Sequence, residues 1–142
     1  MDTVTKEKRS EMMRKVRGKN TAPERQVRSL LYAMGYRFRL HKKELPGTPD
    51  IVLPKYHVAI FVHGCFWHCH NSKECRRGRI PKTHEEFWRI KLEANKQRDQ
   101  KNIERLETIG WRVLVVWECE IKNKENLRYM LEDFIKKEKT LL

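Results

Sequence analysis

The chain predicts an α/β domain with a mixed central β-sheet flanked by helices. Three observations carry this. Apolar residues switch between helical spacing and short continuous runs along the chain. The elements they mark follow the order α-β-β-β-α-β-α, which suits a sheet covered by helices. A length of 142 residues is enough for one domain with a substantial core.

Residues 1–20 are mostly polar and carry seven Lys or Arg between Lys6 and Lys19. They read either as a basic N-terminal arm with a short helix, ordered on a polyanion, or as a solvated tail. Residues 21–142 form the domain. Thr21 is placed to cap a helix with Pro23 in its first turn, where a missing N–H does no harm. Val27, Leu30, Leu31 and Met34 then recur at helical spacing up to Gly35. Tyr36 to Leu40 alternates with period two and predicts a strand. Leu45-Pro46-Gly47-Thr48-Pro49 is a turn-rich link into a short buried strand, Asp50 to Leu53.

After a turn at Pro54-Lys55-Tyr56, the run Val58 to Val62 suits a central strand. Thr83-His84-Glu85-Glu86 has capping-box spacing and opens a charged helix of about 84 to 108, ended by Gly110. Trp111 to Trp117 is the strongest strand pattern, with Cys119 just beyond it. A last amphipathic helix from about 124 to 138 turns Leu127, Met130, Leu131, Phe134 and Ile135 inward.

The net charge of +13 and pI near 9.8 attract polyanions, in an association that weakens steeply with salt. Nucleic acid is the favoured partner; solubility charge or a ribosome-like binding role is the plainer explanation. Nothing approaches the roughly 20 apolar residues of a membrane span, and the N-terminus has no signal-like run. A reducing, cytoplasmic setting is therefore expected. There, four Cys clustered with His favour a metal over disulfides.

That cluster is His63-Gly-Cys65-Phe66-Trp67-His68-Cys69-His70, followed by Cys75. It holds three of the six His and three of the four Cys, around a bare Phe-Trp pair. Candidate zinc ligands are Cys65, Cys69, His70, Cys75 and Cys119, with His63 and His68 less favoured; a closed structural site needs four of these. A ligand at Cys119 would pin an irregular loop to the sheet. The Phe66-Trp67 pair suits a flat partner such as a nucleic-acid base.

Asp50 follows a proline at the mouth of an apolar strand. A carboxylate there can bind Mg²⁺, which can hold a scissile phosphate and acidify a water. A turn Asp bonding its own backbone is the plainer alternative. A strand-turn-strand brings the end of the next strand, Val62 and His63, beside the acid. A main-chain carbonyl there is a plausible second ligand, and His63 or His68 could handle protons.

Leu45-Pro-Gly-Thr-Pro-Asp50, Phe61-Val-His-Gly-Cys-Phe-Trp-His68, Glu86-Phe-Trp88 and Gly110-Trp-Arg-Val-Leu-Val-Val-Trp-Glu-Cys119 together resemble the very short patch repair endonucleases. These bacterial enzymes nick DNA at T:G mismatches left when 5-methylcytosine deaminates. The likeness runs from the arm to about residue 120. It implies a PD-(D/E)xK, restriction-endonuclease-like fold with a structural zinc loop. The acid and Lys usual in that superfamily's second half-motif would fall at Phe61 and His63; the repair family likewise has a His in the Lys place.

The resemblance further implies that Asp50 binds Mg²⁺ beside the main-chain oxygen of Val62. His63 would orient a metal-bound water, and His68 would be the general base. Glu24 matches an acid touching the metal's water shell, and Asp99 is placed to orient His68. Zn²⁺ would be held by Cys65, His70, Cys75 and Cys119, with the extra thiol Cys69 as an alternative to His70. Phe66, Trp67 and Trp88 would insert into the duplex beside the mismatch, where unstacking costs least; core packing is the alternative for Trp88.

The implied function is a Mg²⁺-dependent, zinc-stabilised mismatch nickase acting on double-stranded DNA in the bacterial cytoplasm, at the nucleoid. It would act as a monomer, with other mismatch-repair proteins as partners. Its rivals are a zinc-stabilised DNA-binding module without catalysis, and another nuclease of the same fold, such as a restriction enzyme or junction resolvase.

Overall fold

The computed structural model describes residues 21–65 and 82–137. Among these, the element order is α1 (Ala22–Ala33), β1 (Arg39–Leu40), β2 (Ile51–Leu53), β3 (Val58–His63), α2 (Glu85–Thr108), β4 (Arg112–Trp117) and α3 (Lys124–Lys136). Short 3-10 turns at Pro54–Tyr56 and Glu118–Lys122 link β2 to β3 and β4 to α3. The expected α-β-β-β-α-β-α order stands.

The sheet runs β1-β2-β3-β4. The first two pairings are antiparallel and the β3–β4 pairing is parallel. A parallel pair cannot be closed by a tight turn, and here the crossover contains α2. Alternation along β3 divides the core. Val58 and Ile60, with Ile51, Leu53 and Val116, pack against α1 and α3 through Val27, Leu31, Leu127, Leu131 and Ile135. Ala59 and Phe61, with Val52, pack instead against Leu106 and Ile103 of α2. Both faces of the sheet are therefore covered, which is why the strands read as unbroken apolar runs.

Two expectations are corrected. The strand predicted over Tyr36 to Leu40 pairs only at Arg39 and Leu40. Tyr36 and Phe38 pack against the core before the ladder begins, so their alternation reflects burial and not pairing. The capping box at Thr83 is not formed. α2 starts one residue later, with His84 in a left-handed conformation and no side-chain cap bond. At α1 the expected cap is present: Thr21 Oγ1 accepts from the Glu24 N–H at 3.3 Å.

Candidate active site

Asp50 stands at the head of β2, held on two sides by main chain. The antiparallel register pairs Ile51 with Ile60, so Asp50 lies beside the outgoing end of β3. There its Oδ2 accepts from the Val62 N–H at 2.8 Å. On the other flank, the Asp50 carbonyl accepts from the His41 N–H at 3.1 Å, continuing the β1–β2 ladder. The Val62 main chain thus lies beside Asp50 and meets its carboxylate through the N–H.

The loop that delivers Asp50 is tightly set. Thr48 N–H bonds the Leu45 carbonyl, and Gly47 and Thr48 both have positive φ, at 76° and 48°. Non-glycine residues seldom adopt that conformation, and such strain gathers at sites that must hold one shape.

His63 ends β3 and is 6% exposed. Its ring meets Trp117 edge-on at 5.3 Å and lies 5.7 Å from Phe61. Asp50, Phe61, Val62 and His63 line a cleft of about 220 Å³ with Asp99, Asn102 and Ile103 of α2. Parity explains the gathering. Residue 63 shares the α2-facing side of β3 with Ala59 and Phe61, and residue 50 shares that side of β2 with Val52. One cleft thus gathers Asp50, Val62, His63 and Asp99 from three parts of the fold, while His68, the residue Asp99 was expected to orient, lies outside the described residues.

Glu24 reaches the site from the first turn of α1 and is 1% exposed. Its Oε1 lies 2.5 Å from His41 Nε2 and 3.8 Å from an Arg28 nitrogen. Glu24, His41 and Asp50 each offer one ligand atom, and these atoms lie within 4.8 Å of one another. The two carboxylates, one of them bonded to the Val62 N–H, are hard oxygen donors, and they fit Mg²⁺.

His41 was missed by the sequence reading. A lone His in Leu40-His41-Lys42 carries no motif. The only signal is positional, since Leu40 pairs with Ile51 and residue 41 must therefore face residue 50. That inference needs the register, which a two-residue strand does not announce.

Cys65 is buried and Cys119 half-buried, neither in a disulfide. The parallel register pairs His63 with Trp117, and each Cys lies two residues further on, at the same end of neighbouring strands. Trp88 is half-buried in the first turn of α2, edge-on to Phe87 at 5.3 Å, with Lys91 Nζ 5.8 Å from its ring. Phe87 and Ile90 beside it are exposed. The basic arm, Phe66, Trp67, His68, Cys69, His70 and Cys75 lie outside the described residues.

The fold has a counterpart among solved structures. It is similar to the homing endonuclease I-Bth0305I catalytic domain, with a TM-score of 0.57 and 21% identity over 81% of this chain and 94% of that one. The family described as DNA mismatch endonuclease Vsr matches over residues 1–75. Type II nicking enzyme V.XorIIP of Xanthomonas oryzae pv. oryzae is 50% identical over 134 residues, covering 94% of this chain and 96% of its own. DNA mismatch endonuclease Vsr of Escherichia coli K12 is 44% identical over 126 residues, covering 89% and 79%. The chain belongs to the DNA mismatch endonuclease Vsr family.

Proposed function

We propose that this Vsr-family endonuclease nicks one strand of double-stranded DNA at a T:G mismatch, using a divalent cation, with Mg²⁺ as the expected ion. The observation that carries the reading is the convergence of Asp50, the Val62 main chain, His63 and Asp99 on one cleft, with Glu24 brought alongside. Relatives named as a mismatch endonuclease and as nicking enzymes support the substrate.

A bound cation would neutralise charge on the scissile phosphate and acidify the attacking water. The chain's own groups would do the rest. Asp50 would hold the cation in a carboxylate orientation set by the Val62 N–H, with the Val62 carbonyl beside it. Glu24 would order the surrounding water. His63, clamped by its ring contacts, would orient the nucleophile, while His68 would accept its proton with Asp99 as its positioning partner.

Phe66, Trp67 and Trp88 would wedge into the stack, discriminating a mismatch because unstacking costs a few kcal/mol and least at an unstable pair. A zinc ion on Cys65, His70 or Cys69, Cys75 and Cys119 would stiffen that wedge. Soft thiolates at the ends of adjacent parallel strands suit it.

The test is a labelled duplex carrying one T:G pair, incubated with the full chain and Mg²⁺ and resolved on a denaturing gel. One nicked strand is expected. Asp50→Ala should lower the rate about a thousand-fold or more, since a metal ligand's share of charge stabilisation is several kcal/mol. Equal cutting by that variant overturns the active-site assignment. Preferential cutting of a fully paired or four-way duplex overturns the mismatch assignment.

A further inference from the structure

We propose that His41 is a direct metal-binding residue, supplying an imidazole nitrogen to the cation held by Asp50 and Glu24, and that it biases the site toward Mn²⁺ over Mg²⁺ and Ca²⁺. The inference rests on the reading of Asp50 as a cation ligand, and it adds a donor and an ion preference that this reading lacks.

Three observations converge on the imidazole. His41 is joined to Asp50 through the main chain, its N–H bonding the Asp50 carbonyl at 3.1 Å, so its ring is tied to the acid's neighbourhood. Its φ is +47°, a left-handed conformation that an ordinary side chain adopts at a cost and that gathers at functional positions. Its Nε2 is buried and makes no aligned hydrogen bond among the described residues, yet it lies 2.5 Å from Glu24 Oε1.

A nitrogen and a carboxylate oxygen brought this close place two donor atoms within reach of one cation. Asp50 closes the group to within 4.8 Å. The donor set is then two carboxylates and one imidazole from three separate elements: α1, the residue after β1, and the head of β2.

The chemistry of that set decides the ion. Mg²⁺ and Ca²⁺ take oxygen ligands. Imidazole suits first-row transition ions, while carboxylates and carbonyls suit Mg²⁺, Ca²⁺ and Mn²⁺ alike; of that oxygen-loving group Mn²⁺ is the one transition ion, so it is the one that gains from an added nitrogen. An all-oxygen site would discriminate weakly between Mg²⁺ and Mn²⁺. One nitrogen should tip it toward Mn²⁺, while the carboxylates and the Val62 carbonyl still admit Mg²⁺.

The test measures binding without turnover. Mn²⁺ and Mg²⁺ are titrated into the full chain, and pulsed electron paramagnetic resonance on bound Mn²⁺ reads coupling to imidazole ¹⁴N. His41→Gln and His41→Asn are compared with the parent. Asn tolerates the left-handed backbone, so it serves if Gln perturbs the loop, and thermal melting checks both. The expected result is that Mn²⁺ affinity falls about tenfold or more while Mg²⁺ affinity falls less, with the ¹⁴N coupling diminished. Unchanged Mn²⁺ affinity, equal losses for both ions, or a full ¹⁴N signal in a folded variant overturns the proposal and leaves His41 as a structural partner of Glu24. Asp50→Asn separates the two readings. If it loses both ions while the His41 variants keep them, only the His41 inference fails. If it keeps both ions and still nicks T:G DNA, the underlying active-site reading fails.

Discussion

Gly47 ties the loop bearing Asp50 to the long helix. A Cβ added there would stand 2.9 Å from Asn102 Cβ and 3.0 Å from its Cγ and Nδ2, and φ is +76°. Gly47→Ala therefore meets both a steric and a backbone penalty, and should lower stability by about 1 to 3 kcal/mol. A melting temperature equal to the parent's would mean that loop and helix give way easily. At this scale Glu24, an acid in a helix's first turn, took its expected role from the family resemblance alone, whereas Asp50 stood out from its place after a turn at the mouth of an apolar strand. His41 did not, because it becomes part of the site only through a cross-strand neighbour.

Among the elements, β4 and α3 are joined by one side chain. Arg112 donates to the carbonyls of Phe134 at 2.7 Å, Lys137 at 2.9 Å and Ile135 at 3.1 Å, and its guanidinium lies over the Phe134 ring at 5.3 Å. Those carbonyls end a helix whose own N–H groups cannot reach them, and a cation suits that end of the helix dipole. Arg112→Met should cost about 1 to 3 kcal/mol, lower the urea midpoint and speed amide exchange in the last turn of α3. Exchange unchanged there would show that the cap is dispensable. Long α2 differs: Leu92 and Leu106 are its buried residues, and exposed pairs such as Arg89 with Glu85 at 2.7 Å add little. Its charged length was readable as a helix, and its start falls within one residue of the expected one although the local Thr83 cap is not used.

Across the whole molecule, charge and metal content are the measurable properties. If the basic surface neutralises six to ten phosphates, DNA affinity should fall by about 10³ to 10⁵ between 50 and 200 mM salt; a flat salt response would argue that the net charge of +13 is not directed at the duplex. Cys119→Ser should lose zinc by elemental analysis and fold poorly, since structural zinc contributes folding free energy; unchanged zinc content would remove Cys119 from the site. The order of elements, the apolar faces and the basic character could be read along the chain, because each depends on composition or on neighbours within a few positions. Which residues share a cleft could not be read that way. Strand register and crossover bring Asp50, His63 and Asp99 together across α2's face of the sheet, and carry His41 to Glu24. Contacts between distant positions follow from how strands align and helices pack, which local periodicity does not specify.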